Sequence, residues 1–395
     1  MKYTIIIATV LALVQAAPLF NDGGEPIADS YIVMLKDGHS ADTFQPKFEN
    51  IARRRNARGG RIPSIHQKYT TIPGFAATMD SASLKEIMAS DEVAYVERDR
   101  VVSIQSVRTQ NNPPSWGLTR ISERDRDPSQ PYRYNSKAGS GITAYVIDTG
   151  IYPEHTDFDG RASFGANFVP GTPNVDDHGH GTHVAGIIGG TNYGVAKKVK
   201  LVGVKVFGLN GTGSVSTIVA GMDWVIKKAA SGKSVVNMSI GAGAKSKVID
   251  DAAARLYAKN VPLFAAAGNN PTLDSCNNSP SGSPHAFTVA ASDRMDKMAI
   301  YTSYGTCVKL FAPGDKIIST YIGSKTSVKA LSGTSQAAPH AAGVAAVHMS
   351  THSFRNPKAI YDKLIATSSP NKITVNNGSL GLRGTPSNLL YNAIA

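Results

Sequence analysis

The apolar and polar positions between residues 28 and 105 repeat with two different periods. Short apolar runs typical of strands alternate with patterns of helical period, and a Pro73-Gly74 pair marks a turn between two of the strands. Strands are predicted at 30–35, 65–71, 75–79 and 93–97, and helices at 41–55 and from a capping box that begins at Ser83. The order β-α-β-β-α-β predicts a small ferredoxin-like α+β domain.

From Trp116 onward, longer apolar runs alternate with helices. The run 142–147 is almost continuously apolar, as in a parallel strand buried on both faces, and it ends at Asp148. Further strands are predicted at 201–207, 235–240, 262–267, 286–291 and 308–311, and helices at 182–188, 217–229, 248–259 and 341–347. This alternation predicts a doubly wound α/β domain with a mostly parallel sheet. Because ligands bind beyond the carboxyl ends of such strands, we expect Asp148, Ser239 and Asn269 to converge on one edge.

The first residues have the three parts of a secretory signal. Lys2 supplies the positive start, 5–14 form an apolar run, and small residues follow as a cleavage site. The run is too short to span a bilayer as a helix. We therefore expect a soluble, secreted protein without a membrane anchor, and a vacuolar destination stays open. In that oxidising route, Cys276 and Cys307 are expected to form one disulfide.

The polar segment 102–114 ends in Asn-Asn-Pro-Pro and is predicted to be an exposed, cleavable linker. The small domain before it lies between a signal and a larger domain, which suggests a propeptide. The predicted division is a signal over 1–16, a propeptide over 17–105 and a main domain over 106–395.

Four sequons offer acceptor sites for N-linked glycans. Asn237 lies in an apolar strand pattern and is expected to be buried. The other three are candidate glycan sites: Asn210, Asn277 and Asn377.

The charge of the chain is concentrated in the second domain. The formal net charge is +12, and residues 106–395 carry 29 Lys+Arg and 17 Asp+Glu, a difference of 12. Such a domain should adsorb to acidic surfaces. No Arg-rich recognition helix and no interleaving of aromatic and basic residues occurs, so nucleic-acid binding is not expected.

Ser335 lies in polar, Gly-rich sequence at the start of a run of small residues that can pack as a buried helix. The unpaired N–H groups and the dipole at such a helix start favour negative charge, which acyl transfer requires. A bland alternative is that Ser335 only caps the helix, since Ser is a preferred N-cap residue.

The segment 176–183 contains three His and two Asp, which raises the alternative of a metal site. A helical zinc pair needs His at i and i+4 with a Glu between them. Here His180 and His183 are three apart and no Glu is present, so no metal is expected. The segment instead favours His180 as a general base at the start of a helix, with Gly181 allowing a close approach.

A nucleophilic serine needs a base to take its proton and a carboxylate to orient that base. The chain order Asp148, His180, Ser335 is the subtilisin order, and the G-x-S-x-G elbow of the α/β-hydrolases is absent. With the motifs V-I-D-T-G at 146–150, G-H-G-T-H-V-A-G at 179–186 and G-T-S at 333–335, the chain resembles subtilisin-type serine endopeptidases of the proteinase K and aqualysin branch.

This resemblance covers essentially the whole chain and implies further roles. Residues 28–105 resemble the inhibitory propeptide of the family, and Asn269 in A-A-G-N resembles its oxyanion-hole residue. The substrate is expected to lie as a strand between two edges. By resemblance these edges are Gly211, Thr212 and Gly213 on one side and Ser239, Ile240 and Gly241 on the other. Relatives prefer large apolar or aromatic residues before the cut.

The sequence departs from the family at several positions. Gln336 replaces the Met that usually follows the nucleophile, and Ala242 stands where a second Gly is common. Lys309 and Ser379 stand where relatives have carboxylates that bind calcium. Calcium is therefore not expected to be required, although three acidic residues could rebuild a site: Asp293, Asp296 and Asp315.

The cysteines match the aqualysin-like pair that joins the segment after Asn269 to the strand near Cys307. Their separation of 31 residues (307 − 276) makes a disulfide worth about 3–4 kcal/mol on chain-entropy grounds.

The sequence thus predicts a monomeric serine endopeptidase that acts on proteins and peptides and is made as a zymogen inhibited by its own propeptide. A non-catalytic binding protein on a protease fold is the main alternative, but no member of the Asp148, His180, Ser335 set is missing. An esterase or lipase is disfavoured by the absent elbow and by the peptide-binding edges.

Overall fold

A computed structural model describes residues 16–20, 26–100, 107–375 and 381–394. The chain divides into two compact units, residues 1–104 and 105–395. Four features of the prediction lie outside the described residues: residues 1–15 of the predicted signal over 1–16, the bond after residue 105, the sequon at Asn377 and the position of Ser379. Within those ranges, no helix is both long enough and apolar enough to cross a bilayer.

The first unit is a sheet covered by two helices. Its elements are β1 Leu19–Phe20, β2 Pro26–Leu35, α1 Ala41–Ala57, β3 Ser64–Lys68, β4 Gly74–Thr78, α2 Ser81–Met88 and β5 Val93–Arg100. The strand order is β1-β5-β2-β4-β3. Phe44 and Phe48 of α1 pack on Phe75 of β4, and Ile87 of α2 joins the same core. The predicted β-α-β-β-α-β order is confirmed, with β1 added as a short parallel edge strand.

The start of α2 differs from the prediction. The N-cap is Asp80, whose carboxylate accepts the Ser83 N–H at 2.8 Å, so the helix begins before the predicted capping box. Ser83 is buried inside the first turn. Aspartate is an equally good cap, and its earlier position leaves the Ser-x-x-Glu pattern within the helix.

The second unit contains the remaining elements. They are β6 Val107–Gln110, α3 Trp116–Ser122, β7 Tyr132–Asn135, β8 Thr143–Asp148, β9 Ala162–Asn167, α4 His180–Gly189, β10 Lys200–Lys205, α5 Val215–Lys228, β11 Ser234–Met238, α6 Lys247–Ala258, β12 Leu263–Ala266, β13 Ala286–Ser292, β14 Val308–Pro313, β15 Ile317–Thr320, β16 Val328–Leu331, α7 Thr334–Thr351 and α8 Pro357–Thr367.

A seven-stranded parallel sheet forms the centre of this unit, in the order β14-β13-β12-β11-β8-β10-β9. Successive residues of β8 point to opposite faces. Ala144 and Val146 enter the core shared with α4, α7 and α8, whereas Tyr145 and Ile147 enter the core shared with α5 and α6. The sheet is therefore covered on both faces, and the doubly wound α/β prediction is confirmed.

Helix α7 lies against β11, β12, β13 and β14 and is buried on nearly all sides. Its alanines are buried, as the run of small residues predicted. Gly343 lets it approach α4, because a Cβ there would lie 3.2 Å from the carbonyl oxygen of Ile188. This burial gives the serine at its start a rigid support.

The predicted linker is in part a strand. Residues 107–110 form β6, which pairs antiparallel with β7 in a two-stranded ribbon of the second unit. Residues 102–106 lie outside the described residues and stay a predicted linker, and 111–114 form an irregular, mostly exposed connection between β6 and α3. The residues of β6 are mostly polar and exposed, and because they do not alternate with apolar positions, no strand is predicted there from the chain.

Candidate active site

Asp148 and His180 form a close pair at the carboxyl edge of the sheet. Asp148 is the last residue of β8 and is fully buried, and His180 is the first residue of α4. His180 Nδ1 lies 2.7 Å from Asp148 Oδ1, which also accepts the Thr149 N–H at 2.7 Å. This contact fixes the orientation of the His180 ring and leaves Nε2 available for proton transfer.

Two opposing effects set the pKa of His180. Burial lowers the pKa, because it disfavours the charged ring, while the charge and hydrogen bond of Asp148 raise it, with a further contribution from the charge of Asp176. The net result is a pKa above the ordinary value of 6.5. His180 is therefore a stronger base than a free histidine.

Asp176 holds the start of α4 in place. One carboxylate oxygen accepts the Thr149 hydroxyl and the Gly179 N–H, both at 2.8 Å, and the other accepts the N–H and hydroxyl of Thr182 at 2.8 and 2.6 Å. Thr149 in turn accepts the Gly181 N–H at 2.9 Å. The sequence indicates Asp176 only as a candidate metal ligand. An acidic residue just before a helix start is the signal that could have indicated this capping role.

Gly181 lets α4 approach the strand end that carries Asp148. A Cβ at Gly181 would lie 2.2 Å from the carbonyl oxygen of Gly150, which no side chain could tolerate. The close approach expected for this glycine is thus present.

His183 is a structural residue. Its Nε2 lies 3.1 Å from the Ile317 carbonyl and 2.9 Å from the Lys329 carbonyl, so it ties α4 to the β15–β16 hairpin. Burial, the largest effect, lowers its pKa to about 3. With its Nε2 directed at two carbonyls, His183 holds the hairpin against α4.

Lys205 is a further positioning residue that the sequence did not indicate. Its ammonium group is fully buried at the end of β10 and donates to Asp177 Oδ1 at 2.7 Å and to the carbonyls of Thr149 and Phe207 at 3.1 and 2.9 Å. It joins the strand end beside Asp148 to the loop before His180.

Ser335 lies in the first turn of α7 and exchanges hydrogen bonds with Ser239. The Ser335 hydroxyl donates to the Ser239 carbonyl at 3.0 Å, and the Ser239 hydroxyl donates to the Ser335 carbonyl at 2.8 Å. That carbonyl needs a partner because Pro339, four residues later, has no N–H to donate. No hydrogen bond joins Ser335 to His180 among the described residues, so the hydroxyl must turn from Ser239 to meet the ring.

Asn269 is oriented through its amide oxygen. The N–H and the hydroxyl of Thr334 both donate to Asn269 Oδ1, at 2.8 and 2.9 Å, and the Thr334 hydroxyl also accepts the Gly268 N–H at 3.0 Å. The amide nitrogen of Asn269 is therefore directed away from these donors. Asn269 is exposed beside the start of α7, next to the half-buried Ser335.

The six residues expected to bind substrate lie in two loops after strand ends. Gly211, Thr212 and Gly213 are exposed in the loop after β10. Ser239 and Ile240 directly follow β11 and are buried, and Gly241 is exposed. Both loops are on the carboxyl edge that carries Asp148.

Gln336 follows Ser335 and is buried. Its Nε2 has no hydrogen-bond partner in the described part of the chain. A Cβ at Gly333 would lie 2.9 Å from its Oε1, so the side chain folds back over the start of α7.

The disulfide between Cys276 and Cys307 is present, with the Cα atoms 5.5 Å apart. It joins the short helix Ser275–Asn277 to the residue before β14. Asp274 lies close to both sulfur atoms, but the disulfide leaves no thiolate to bind a metal.

Two of the acidic residues considered as calcium ligands have other partners. Asp296 forms a two-pronged ion pair with Arg120, at 2.7 and 3.0 Å. Asp293 accepts the N–H groups of Met295 and Lys297 at 2.8 and 2.9 Å. Lys309, half-buried in β14, places a cation rather than a carboxylate at its position.

Comparison with known proteins agrees with this geometry. The Subtilase family profile matches residues 139–385, and the Peptidase inhibitor I9 profile matches residues 30–105. The chain belongs to the subtilase family. It is a serine endopeptidase that carries an inhibitor-type propeptide domain, which implies synthesis as a zymogen.

Relatives of this subtilase extend over nearly its full length. Subtilisin-like serine protease Pen ch 13 of Penicillium rubens is 41% identical, over 97% of this chain and 96% of the relative. Subtilisin-like protease 3 of Pseudogymnoascus destructans is 39% identical, over 98% and 95%. The crystal structure of a cold adapted subtilisin-like serine proteinase superposes with a TM-score of 0.66 at 40% identity, covering 71% of this chain and 98% of that chain.

Proposed function

We propose that this subtilase is a secreted endopeptidase of broad specificity that prefers a large apolar or aromatic residue before the cut and releases its own propeptide. The observation that carries the proposal is the pairing of Asp148 with His180 on the same sheet edge as Ser335 and Asn269. The sequence of residues 1–16 supports entry into the secretory route, with a vacuolar destination as the variant of that proposal. We propose that the enzyme acts as a monomer.

In the proposed reaction, His180 Nε2 takes the proton of Ser335 as Oγ attacks the peptide carbonyl. Asp148 holds the proton on Nδ1 and stabilises the imidazolium that forms. His180 then gives the proton to the leaving amine, and a water molecule repeats the sequence on the acyl-enzyme. The raised pKa of His180 supports its role as the base.

The oxyanion is assigned to the Asn269 amide and the Ser335 N–H. Thr334 supports this assignment, because its two hydrogen bonds hold the Asn269 oxygen and so turn the amide donors outward. In subtilisin, loss of one such donor costs about 3 kcal/mol of transition-state stabilisation.

The substrate is proposed to bind as an extended strand between Gly211–Gly213 and Ser239–Gly241. Both segments follow strand ends, where a peptide can add as a further strand. The side chain before the cut would enter the space between the second segment and Asn269.

Glycosylation is proposed at Asn210 and excluded at Asn237 in the folded protein. Asn210 is exposed and its side chain is arranged with Thr212, whose hydroxyl donates to it at 2.8 Å. Asn237 is fully buried in β11, as expected, and donates to Ser239. Asn277 is exposed and remains a second candidate.

The test uses the processed enzyme secreted from the full chain, with chromogenic peptides that differ only in the residue before the cut. We expect hydrolysis to be fastest with Phe or Leu, slow with Asp, and abolished by a serine-directed acylating inhibitor. A folded, processed protein that hydrolyses none of them would favour the non-catalytic binding protein.

A further inference from the structure

His178 lies between the proposed base and one proposed substrate edge. Its ring is 6.2 Å from the His180 ring, centre to centre. On its other side, a Cβ at Gly211 would lie 3.2 Å from His178 Nε2. The His178 ring therefore lies between the His180 ring and Gly211 and forms a wall there.

The main chain of His178 is firmly held while its ring is not. The His178 N–H donates to Asp176 at 3.2 Å, and its carbonyl accepts the Tyr321 hydroxyl at 2.8 Å. The buried Nδ1 has no hydrogen-bond partner among the described residues. By contrast, both ring nitrogens of His155 are used, one by the Asp157 N–H and one by the Ser327 carbonyl. In a purely structural histidine such as His155, both ring nitrogens have partners. His178 lacks a partner on Nδ1 and so differs from that pattern.

The course of an extended substrate brings one side chain to this wall. Successive side chains of a strand point to opposite faces. If the residue before the cut enters the space beside Asn269, the residue preceding it points the other way, toward His180 and His178. We call this preceding residue the second residue before the cut.

We propose that His178 is a specificity-determining residue that favours an acidic side chain at the second residue before the cut. The proposal rests on the proposed peptidase function and on the substrate strand described above. When protonated, the ring can pair with a substrate carboxylate, and when neutral it offers only a hydrogen bond.

The charged groups around His178 leave the ring without a counter-ion of its own. Asp177 is paired with Lys205, and Asp176 is occupied by N–H and hydroxyl donors. Lys329 lies over the Tyr321 ring at 4.5 Å. A substrate carboxylate would therefore be the nearest unpaired negative charge. The titratable and charged groups on the surrounding elements are Asp148, Asp176, Asp177, His180, Lys205, Tyr321 and Lys329.

The experiment compares kcat/KM for peptides with Phe before the cut and Asp, Asn, Glu or Gln preceding it. The ratios Asp/Asn and Glu/Gln cancel side-chain size and also cancel the pH dependence of His180. We expect each ratio to rise by about fivefold between about pH 8.5 and about pH 6, the effect of one partly exposed ion pair. In His178→Asn the ratios should be independent of pH.

The matched control is His352→Asn, an exposed histidine just beyond the far end of α7, which should keep the wild-type ratios. Ratios that are equal in wild type and His178→Asn at both pH values would overturn the proposal. A preference set by size alone, with Asp equal to Asn, would overturn it as well. If the processed wild type hydrolysed none of the peptides, the proposed peptidase function itself would be overturned.

Discussion

At the residue scale, the chemistry of the site depends on how few partners each side chain has. His180 has one carboxylate partner, and that partner is fully buried. Ser335 has one acceptor, the Ser239 carbonyl, which it must leave to react. The hydrogen bond of each residue places its side chain. His180 keeps Nε2 for proton transfer, and Ser335 can exchange its single acceptor for His180.

The first prediction concerns the pH dependence of activity. His180 must be neutral to accept a proton, and its folded pKa lies above 6.5, so activity should be lost as the pH falls through a value above 6.5. The measurement is the acid limb of kcat/KM with a neutral peptide. Asp148→Asn should lower the midpoint as well as the rate, because it removes the carboxylate that raises the pKa. A midpoint below 6.5 in the wild type would contradict the assignment.

The second prediction concerns Gln336. Oxidation of a Met beside the nucleophile places a polar sulfoxide oxygen near the oxyanion site, and Gln cannot undergo that reaction. We expect the wild type to keep its activity in hydrogen peroxide and Gln336→Met to lose it. The unpartnered Nε2 of Gln336 also predicts that this substitution does not lower the melting temperature.

The wild type shows how much activity peroxide removes through the other methionines. Met222 and Met238 are buried, so their contribution should be small. Equal inactivation rates of wild type and Gln336→Met would show that another methionine limits stability toward peroxide.

At the element scale, the site is a junction between α7 and the end of β11. Pro339 removes one helical hydrogen bond, and the Ser239 hydroxyl replaces it from the neighbouring strand end. The same replacement fixes the register of the nucleophile against the sheet.

The third prediction tests this junction. Ser239→Ala should lower the free energy of unfolding by about 1–3 kcal/mol, because it leaves the Ser335 carbonyl and the Asn237 amide without this partner. Adding Pro339→Ala restores a helical N–H and should recover part of the loss. The measurement is chemical denaturation of the acylated, inactive enzyme. If Pro339→Ala has the same effect with and without Ser239, the two residues are not coupled.

The fourth prediction concerns calcium. Arg120 occupies Asp296, and Lys309 places a cation where relatives have a carboxylate, so we expect chelation to change the melting temperature by only a few degrees. A thermal melt with and without a chelator measures this. Arg120→Met, which frees the Asp296 carboxylate, serves as the comparison. A drop of about ten degrees or more in the wild type would show a calcium site formed by other residues.

At the scale of the whole molecule, the chain combines an inhibitor-type propeptide domain with a peptidase domain. The first matches the Peptidase inhibitor I9 family over residues 30–105, and the second matches the subtilases over 139–385. The positive charge of the second unit and its disulfide are properties of the enzyme alone.

The fifth prediction follows from this division. Ser335→Ala should abolish processing as well as turnover, so that the chain accumulates with its propeptide attached. In the same assay, isolated residues 17–105 added in trans should inhibit the processed wild-type enzyme, provided circular dichroism shows that they are folded. Mass spectrometry of the secreted Ser335→Ala chain gives the readout. A mutant that is cut at the wild-type bond in a protease-deficient host would mean that another protease matures it.

The sequence by itself determined the class of each domain and the identity of the candidate residues. Apolar periodicity depends on neighbours within a few residues, so it predicted most of the helices and strands of both units. The order of Asp148, His180 and Ser335, together with three short motifs, indicated the family that the comparisons then showed.

Only the tertiary structure decided how those residues are held. The Asp176 carboxylate reaches Thr149 across 27 positions, and Ser239 reaches Ser335 across 96. Polar partners so far apart leave no periodic signal in the chain, because their meeting depends on which strand ends the sheet order brings together. The same holds for the β6–β7 ribbon, whose polar residues gain their pairing from a distant strand. Local pattern therefore specified the elements and the chemistry, and strand order specified the geometry that makes the chemistry work.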